Sequence, residues 1–155
     1  MLKLYFIISS IILLGSCTTK VEKSNLSNHL PPIVGTWKLL TGTTIEGKET
    51  TITNYTKNQE LIKIINKSHF AFLRHDLKNG KDSSAIFVSG GGKYSLNGNK
   101  YIEHLEYCNY REWENNSFEF EFEITGDTLV TKGVEKVENL KINRINIEKY
   151  IRVKE

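Results

Sequence analysis

Ser117–Ile124, SFEFEFEI, sets an apolar residue at every second position with glutamates between them. A period of two places Phe118, Phe120, Phe122 and Ile124 on one face of an extended strand and Glu119, Glu121 and Glu123 on the other. A helix would mix the two sets, so this stretch commits the chain to a sheet with one wet face. The same texture recurs on both sides of it. Short runs rich in Ile, Val, Phe, Tyr and Thr alternate with Gly, Asn and Asp turns. No segment holds a helical period, although 134–140 leaves room for a turn or two.

The strands follow one another with tight connections. Val34–Thr41 is a first strand, and the threonine-rich Gly42–Tyr55 forms either a second strand or a loop over one end. Glu60–Ile65 and Ser68–Asp76 pair as a hairpin through Asn66-Lys67, and Leu77–Ser83 turns the chain at Asn79-Gly80. Ala85–Leu96 is a strand interrupted by three glycines, and Asn97-Gly98-Asn99 is a hairpin signal leading into Lys100–Tyr107. Asn109–Asn116 is a polar connection. Gly126-Asp127 then turns Ser117–Ile124 into Thr128–Gly133, and Leu140–Val153 closes the chain as one long or bent strand. Eight or more sequential antiparallel strands imply an all-β, up-and-down barrel, because closure removes the edges that an open sheet exposes.

The first residues do not belong to that sheet. Met1 and Lys3 make a short positive start, and Leu4–Leu14 is an apolar run of 11 residues containing two serines. That length suits a signal-peptide core and falls short of the ~20 residues of a spanning helix. Leu14-Gly15-Ser16-Cys17 resembles the lipobox of bacterial lipoproteins. The resemblance implies cleavage before Cys17, a diacylglyceryl group on its sulfur and acylation of the new amino terminus. Two or three chains of the palmitate kind, at about 0.8 kcal/mol per buried CH₂, moor a soluble domain to a bilayer. The chain thus divides into a signal peptide at 1–16, a lipidated Cys17 with a flexible linker at 17–32, and a barrel domain at 33–155. No acidic cluster follows Cys17, so the expected location is the outer membrane, with the domain facing the periplasm.

The formal charge of +3 falls to +2 when Lys3 is cleaved away, and lysines and glutamates are interspersed. No basic stripe offers itself to a nucleic acid. With Cys17 acylated, Cys108 is the remaining thiol, so no internal disulfide forms and packing alone holds the domain. Cys108 reads as buried and inert.

Gly35-Thr36-Trp37 opens the first strand, and together with Tyr150-Ile151-Arg152-Val153 in the last it resembles the lipocalins. The resemblance implies that the Trp37 indole plugs one end of the barrel against Arg152, a cation–π contact of about 0.5–2 kcal/mol. His69-Phe70-Ala71-Phe72, Gly91-Gly92-Lys93-Tyr94 and Tyr101-Ile102-Glu103 are similar to strands of small bacterial lipocalin-like lipoproteins. The Thr-Asp-x-Tyr turn of larger lipocalins is absent, which points to the compact bacterial branch.

Other motifs fail on spacing. Gly90-Gly91-Gly92-Lys93 lacks the Ser or Thr that a phosphate loop needs after its lysine, and reads as a bulge or bend. His29, His69, His75 and His104 have no metal-ligand spacing, and His69 and His75 fall on the outward parity. No nucleophile elbow or cysteine-centred set appears, so no metal, cofactor or reaction is expected. What remains are aromatic and polar residues on inward rows. Phe70, Phe72 and Arg74 share one row, and Tyr101, Glu103, Leu105 and Tyr107 another. An unpaired buried charge costs several kcal/mol, so Arg74 and Glu103 either bridge to each other or meet a wet cavity or a ligand. The expectation is a site for a small hydrophobic or amphipathic ligand built from Phe70, Phe72, Arg74, Tyr94, Glu103, Tyr107, Phe118 and Phe120, with Trp37 and Arg152 structural. The alternative is a filled, non-catalytic barrel that docks another envelope protein through its surface or loops.

Overall fold

The structure, a computed structural model, describes residues 30–154. The expected signal peptide, Cys17 and most of the expected linker lie outside the described residues. Nine strands follow in order: β1 (Gly35–Glu46), β2 (Glu49–Asn54), β3 (Gln59–Ile65), β4 (His69–Asp76), β5 (Phe87–Asn97), β6 (Lys100–Cys108), β7 (Asn116–Thr125), β8 (Thr128–Val137) and β9 (Ile142–Arg152). From β3 onward each strand pairs antiparallel with the next, and β9 returns to β1 between Trp37↔Arg152 and Ile45↔Ile145. β1 and β3–β9 therefore close an eight-strand up-and-down barrel, and β2 is an extra strand. It pairs with β1 over Thr41–Glu46, beyond the stretch that β3 covers.

The threonine-rich stretch is thus the second half of β1 plus β2. β1 passes Thr41 because a bulge at Leu40 absorbs one residue against β9 and restores the pairing. The β1–β2 hairpin stands beyond the end of the barrel where β3, β5, β7 and β9 begin; we call that end the mouth. β8 likewise runs past Gly133 to Val137, and only Glu138–Leu140 makes a 3₁₀ turn. A second such turn, Arg111–Trp113, lies in the β6–β7 connection.

The opposite end, the floor, is packed. Trp37, Leu39, Ile65, Phe70, Tyr101, Leu129 and Tyr150 are all buried there. Trp37 Nε1 donates to the Ile33 carbonyl at 2.8 Å. The Arg152 guanidinium carbon lies 4.0 Å from the indole centroid, and its terminal nitrogens donate to the Val34 and Pro32 carbonyls at 2.8 and 2.7 Å.

One bulge corrects the sequence expectation. Gly91 pairs with Tyr107 but Gly92 pairs with Leu105, so Glu106 is an extra residue in β6. An extra residue exchanges the two faces of everything beyond it. Tyr101, Glu103 and Leu105 stay inside, Cys108 turns in, and Tyr107 turns out to 69% exposure. Tyr107 is therefore not in the inward row. The bulge requires a glycine opposite. A Cβ on Gly92 would stand 2.0 Å from the His104 carbonyl oxygen and 2.8 Å from the Glu106 nitrogen, both backbone atoms. Gly92→Ala is expected to destabilise the barrel by about 1–3 kcal/mol through this overpacking, read as a lowered urea midpoint. An unchanged midpoint would show that the bulge relaxes freely.

Candidate functional site

The barrel encloses a cavity of about 440 Å³ that reaches the mouth. Its two sides differ in chemistry. β3–β7 contribute most of the apolar lining, Leu61, Phe72, Val88, Leu105 and Phe120, joined by Ile86 and Trp113 from the connections, with Lys63, Arg74 and Glu103 set among them. The facing strands β8, β9 and β1 contribute Glu135, Arg144, Asn146, Glu148, Tyr150 and Thr44. The polar side comes from an unusual strand. β9 (INRINIEKYIR) turns Arg144, Asn146, Glu148 and Tyr150 inward and leaves Ile145, Ile147 and Ile151 on the outer, half-buried face. Its pairing with β1 fixes this choice, because the floor register sets Arg152 beside Trp37.

At the base of the cavity sits Lys63, only 5% exposed. Its Nζ donates to Glu103 Oε1 at 2.8 Å and lies 3.6 Å from Glu148 Oε2. Burial alone would lower the Lys63 pKa, but the Glu103 and Glu148 carboxylates outweigh it and hold the ammonium above the ordinary lysine range. Rings of Tyr150, Phe70 and Phe120 surround the same nitrogen, with centroids at 5.4, 6.0 and 6.0 Å. Tyr150 donates to Glu148 Oε2 at 2.5 Å, and burial followed by that carboxylate pushes its phenol well up. Burial likewise raises Tyr101, with Glu103 adding to it, although the Tyr101 hydroxyl meets no partner at hydrogen-bonding geometry among the described residues.

Nearer the mouth, Arg144 Nη2 lies 2.7 Å from Glu135 Oε2, and Asn146 donates to Glu135 Oε1 at 2.8 Å. Burial raises the Glu135 carboxyl and Arg144 partly opposes it. Arg74 donates through Nε to Gln59 Oε1 at 2.8 Å, and its guanidinium carbon lies 5.1 Å from the Tyr55 ring centroid. The Arg74–Glu103 bridge anticipated from the sequence does not form, because Lys63 reaches Glu103 first and Arg74 stands a layer higher.

Of the eight residues singled out from sequence, Phe72, Arg74, Glu103 and Phe120 line the cavity. Phe70 and Phe118 are buried in the packing around it. Phe70 sits edge-on to Tyr101 at 6.4 Å and Phe118 lies against Trp113 at 6.0 Å. Tyr94 packs on Tyr101 at 5.3 Å and donates to the Asn66 carbonyl at 2.7 Å, at the floor end. Tyr107 lies outside. Sequence reasoning missed Lys63, Tyr55, Glu135, Arg144, Asn146 and Glu148. Lys63 was accessible through its parity with Leu61 and Ile65, and the β9 row through its parity with Arg152. Cys108 is a buried free thiol, raised by that burial. Among the described residues no cluster of three or more metal-ligating side chains occurs.

These features define an antiparallel eight-strand barrel with a polar-and-apolar cavity, compatible with a lipocalin-like fold. No protein-family model matches the chain, and no curated protein is significantly similar to it.

Proposed function

We propose that this chain is a lipocalin-like carrier, moored to a membrane through an acylated Cys17, whose barrel takes up one small amphipathic molecule through the mouth. The two-sided cavity carries this reading. Binding pockets pair a largely apolar lining with a few fixed polar groups, and a cavity of about 440 Å³ lies inside the usual range for small ligands. The polar side moves the reading away from a purely hydrophobic ligand. A hydrocarbon would bury Glu135, Asn146 and Glu148 without replacing their hydration, whereas an amphipath offers each side its own partner. The lipobox-like start supplies the mooring, and the lack of an acidic cluster after Cys17 favours the periplasmic face of the outer membrane.

Native mass spectrometry of the protein purified from its own membranes is expected to show one bound small molecule per chain. Denaturation should release it, and the emptied barrel should take up N-phenyl-1-naphthylamine. A barrel that arrives empty and takes up nothing would sink the carrier reading. The docking reading would then stand. It is favoured by one observation, the exposure of Leu73, Phe87 and Tyr107 on the outer face of β4, β5 and β6.

A further inference from the structure

We propose that the cavity selects amphipaths bearing an oxyanion such as a carboxylate or sulfonate, and that Arg74 receives it at the mouth with Tyr55 beside it. The inference rests on the carrier reading and narrows its ligand class. The lining holds three cations and three carboxylates, but two of the cations occupy all three carboxylates and leave Arg74 without one. Lys63 lies between Glu103 and Glu148, and Arg144 holds Glu135. Among the described residues no carboxylate lies within 4.0 Å of Arg74.

A guanidinium has five N–H donors in a planar fork, and Gln59 uses only the one on Nε. The Tyr55 ring lies beside the guanidinium and takes no in-plane donor. The terminal nitrogens therefore remain for an acceptor, and two parallel bonds to a planar oxyanion match that fork. Tyr55 lines the same cavity. Burial raises its phenol more than Arg74 lowers it, so it stays a neutral donor and does not compete with the anion.

A cationic group would find no comparable opening. Glu135 already accepts from Arg144 and Asn146, Glu148 from Tyr150 with Lys63 close by, and Glu103 from Lys63. The neighbours of Arg74 explain why the ligand must also be apolar. Arg74 pairs with Leu61 on β3 and Val88 on β5, and Phe72 precedes it along the inner face of β4. An anionic head held by Arg74 lays the rest of the molecule on those side chains.

Two dyes sharing one ring system separate the claims: 8-anilinonaphthalene-1-sulfonate, and N-phenyl-1-naphthylamine, which lacks the sulfonate. Titrate both into the full chain in phosphatidylcholine nanodiscs, subtract empty nanodiscs, and read quenching of Trp113, which lines the cavity. A Trp113→Phe control identifies that emission. The sulfonate is expected to bind about tenfold more tightly than the neutral dye, the size of one charge-assisted contact. Arg74→Gln should remove that advantage while leaving the neutral dye's affinity in place, and Arg74→Lys should retain part of it. Equal affinities in the unmutated chain, or a sulfonate preference that survives Arg74→Gln, overturn the anion site alone. If Arg74→Gln fails to fold, the unmutated dye ratio and Arg74→Lys decide. Failure of both dyes overturns the carrier reading and this inference with it.

Discussion

Lys63→Met is expected to cost the barrel about 3–5 kcal/mol, the largest loss of any single change at the cavity base. Methionine fills much the same volume, so the loss is electrostatic rather than steric. It leaves Glu103, which is 6% exposed, and Glu148 in one buried space without the ammonium that lies 2.8 and 3.6 Å from them. The sign of the pH dependence identifies the cause. In the unmutated chain the Lys63 pKa is raised above 10.5. Its contribution is therefore whole below pH 10.5 and is lost only as pH rises toward the folded value. In the variant that contribution is absent at every pH. The gap between the two chains should therefore be whole below pH 10.5 and narrow as pH rises above it, where the unmutated chain begins to lose what Lys63 contributes. Urea unfolding on either side of that pH measures this. Adding Glu103→Leu should restore a good part of the loss, since Glu148 keeps its bond from Tyr150. A loss below about 1 kcal/mol, or a gap that does not change with pH, would show that water already solvates this pair.

The barrel was legible in the sequence because most strands obey one rule, with apolar residues facing in and polar residues out. β7 follows it without a fault, and the β3–β4 and β5–β6 hairpins meet at the turns their residues dictate. β9 inverts the rule. Reading INRINIEKYIR by hydrophobicity would send its isoleucines to the core, yet the strand turns its polar row inward. Hydrophobicity alone does not reveal such an inversion; parity with Arg152 does, because the long-range register sets Arg152 beside Trp37 and makes Lys63 from β3 available to Glu148. The Tyr107 error has a smaller cause. One extra residue at Glu106 reverses parity, and nothing in Leu105-Glu106-Tyr107 announces it except the glycine run on the neighbouring strand. The misreading of Tyr107 and the omission of the β9 row both fall on the barrel wall. Half of the anticipated lining residues reach the cavity, the charged Arg74 and Glu103 among them, while Lys63 and the polar row of β9 were supplied by the fold.

Removing the plug at the opposite end tests whether floor and cavity are separable. Trp37→Ala is expected to destabilise the barrel by about 3–5 kcal/mol, as for other buried aromatic truncations. The indole is fully buried, bonded to Ile33 and covered by Arg152, so nothing nearby can collapse into its place. Arg152→Met keeps the aliphatic cover but drops the cation and its bonds to Val34 and Pro32. It should cost about 1–3 kcal/mol. Gly35 shows how closely this end is fitted. Its φ of +147° suits glycine, and a Cβ there would lie 2.4 Å from Arg152 Nη1. The two side chains touch, so a double-mutant cycle combining Trp37→Leu with Arg152→Met should show coupling of about 0.5–2 kcal/mol. Coupling near zero would mean that the guanidinium holds the entering chain through its carbonyl bonds alone, and that the ring contributes only its buried area.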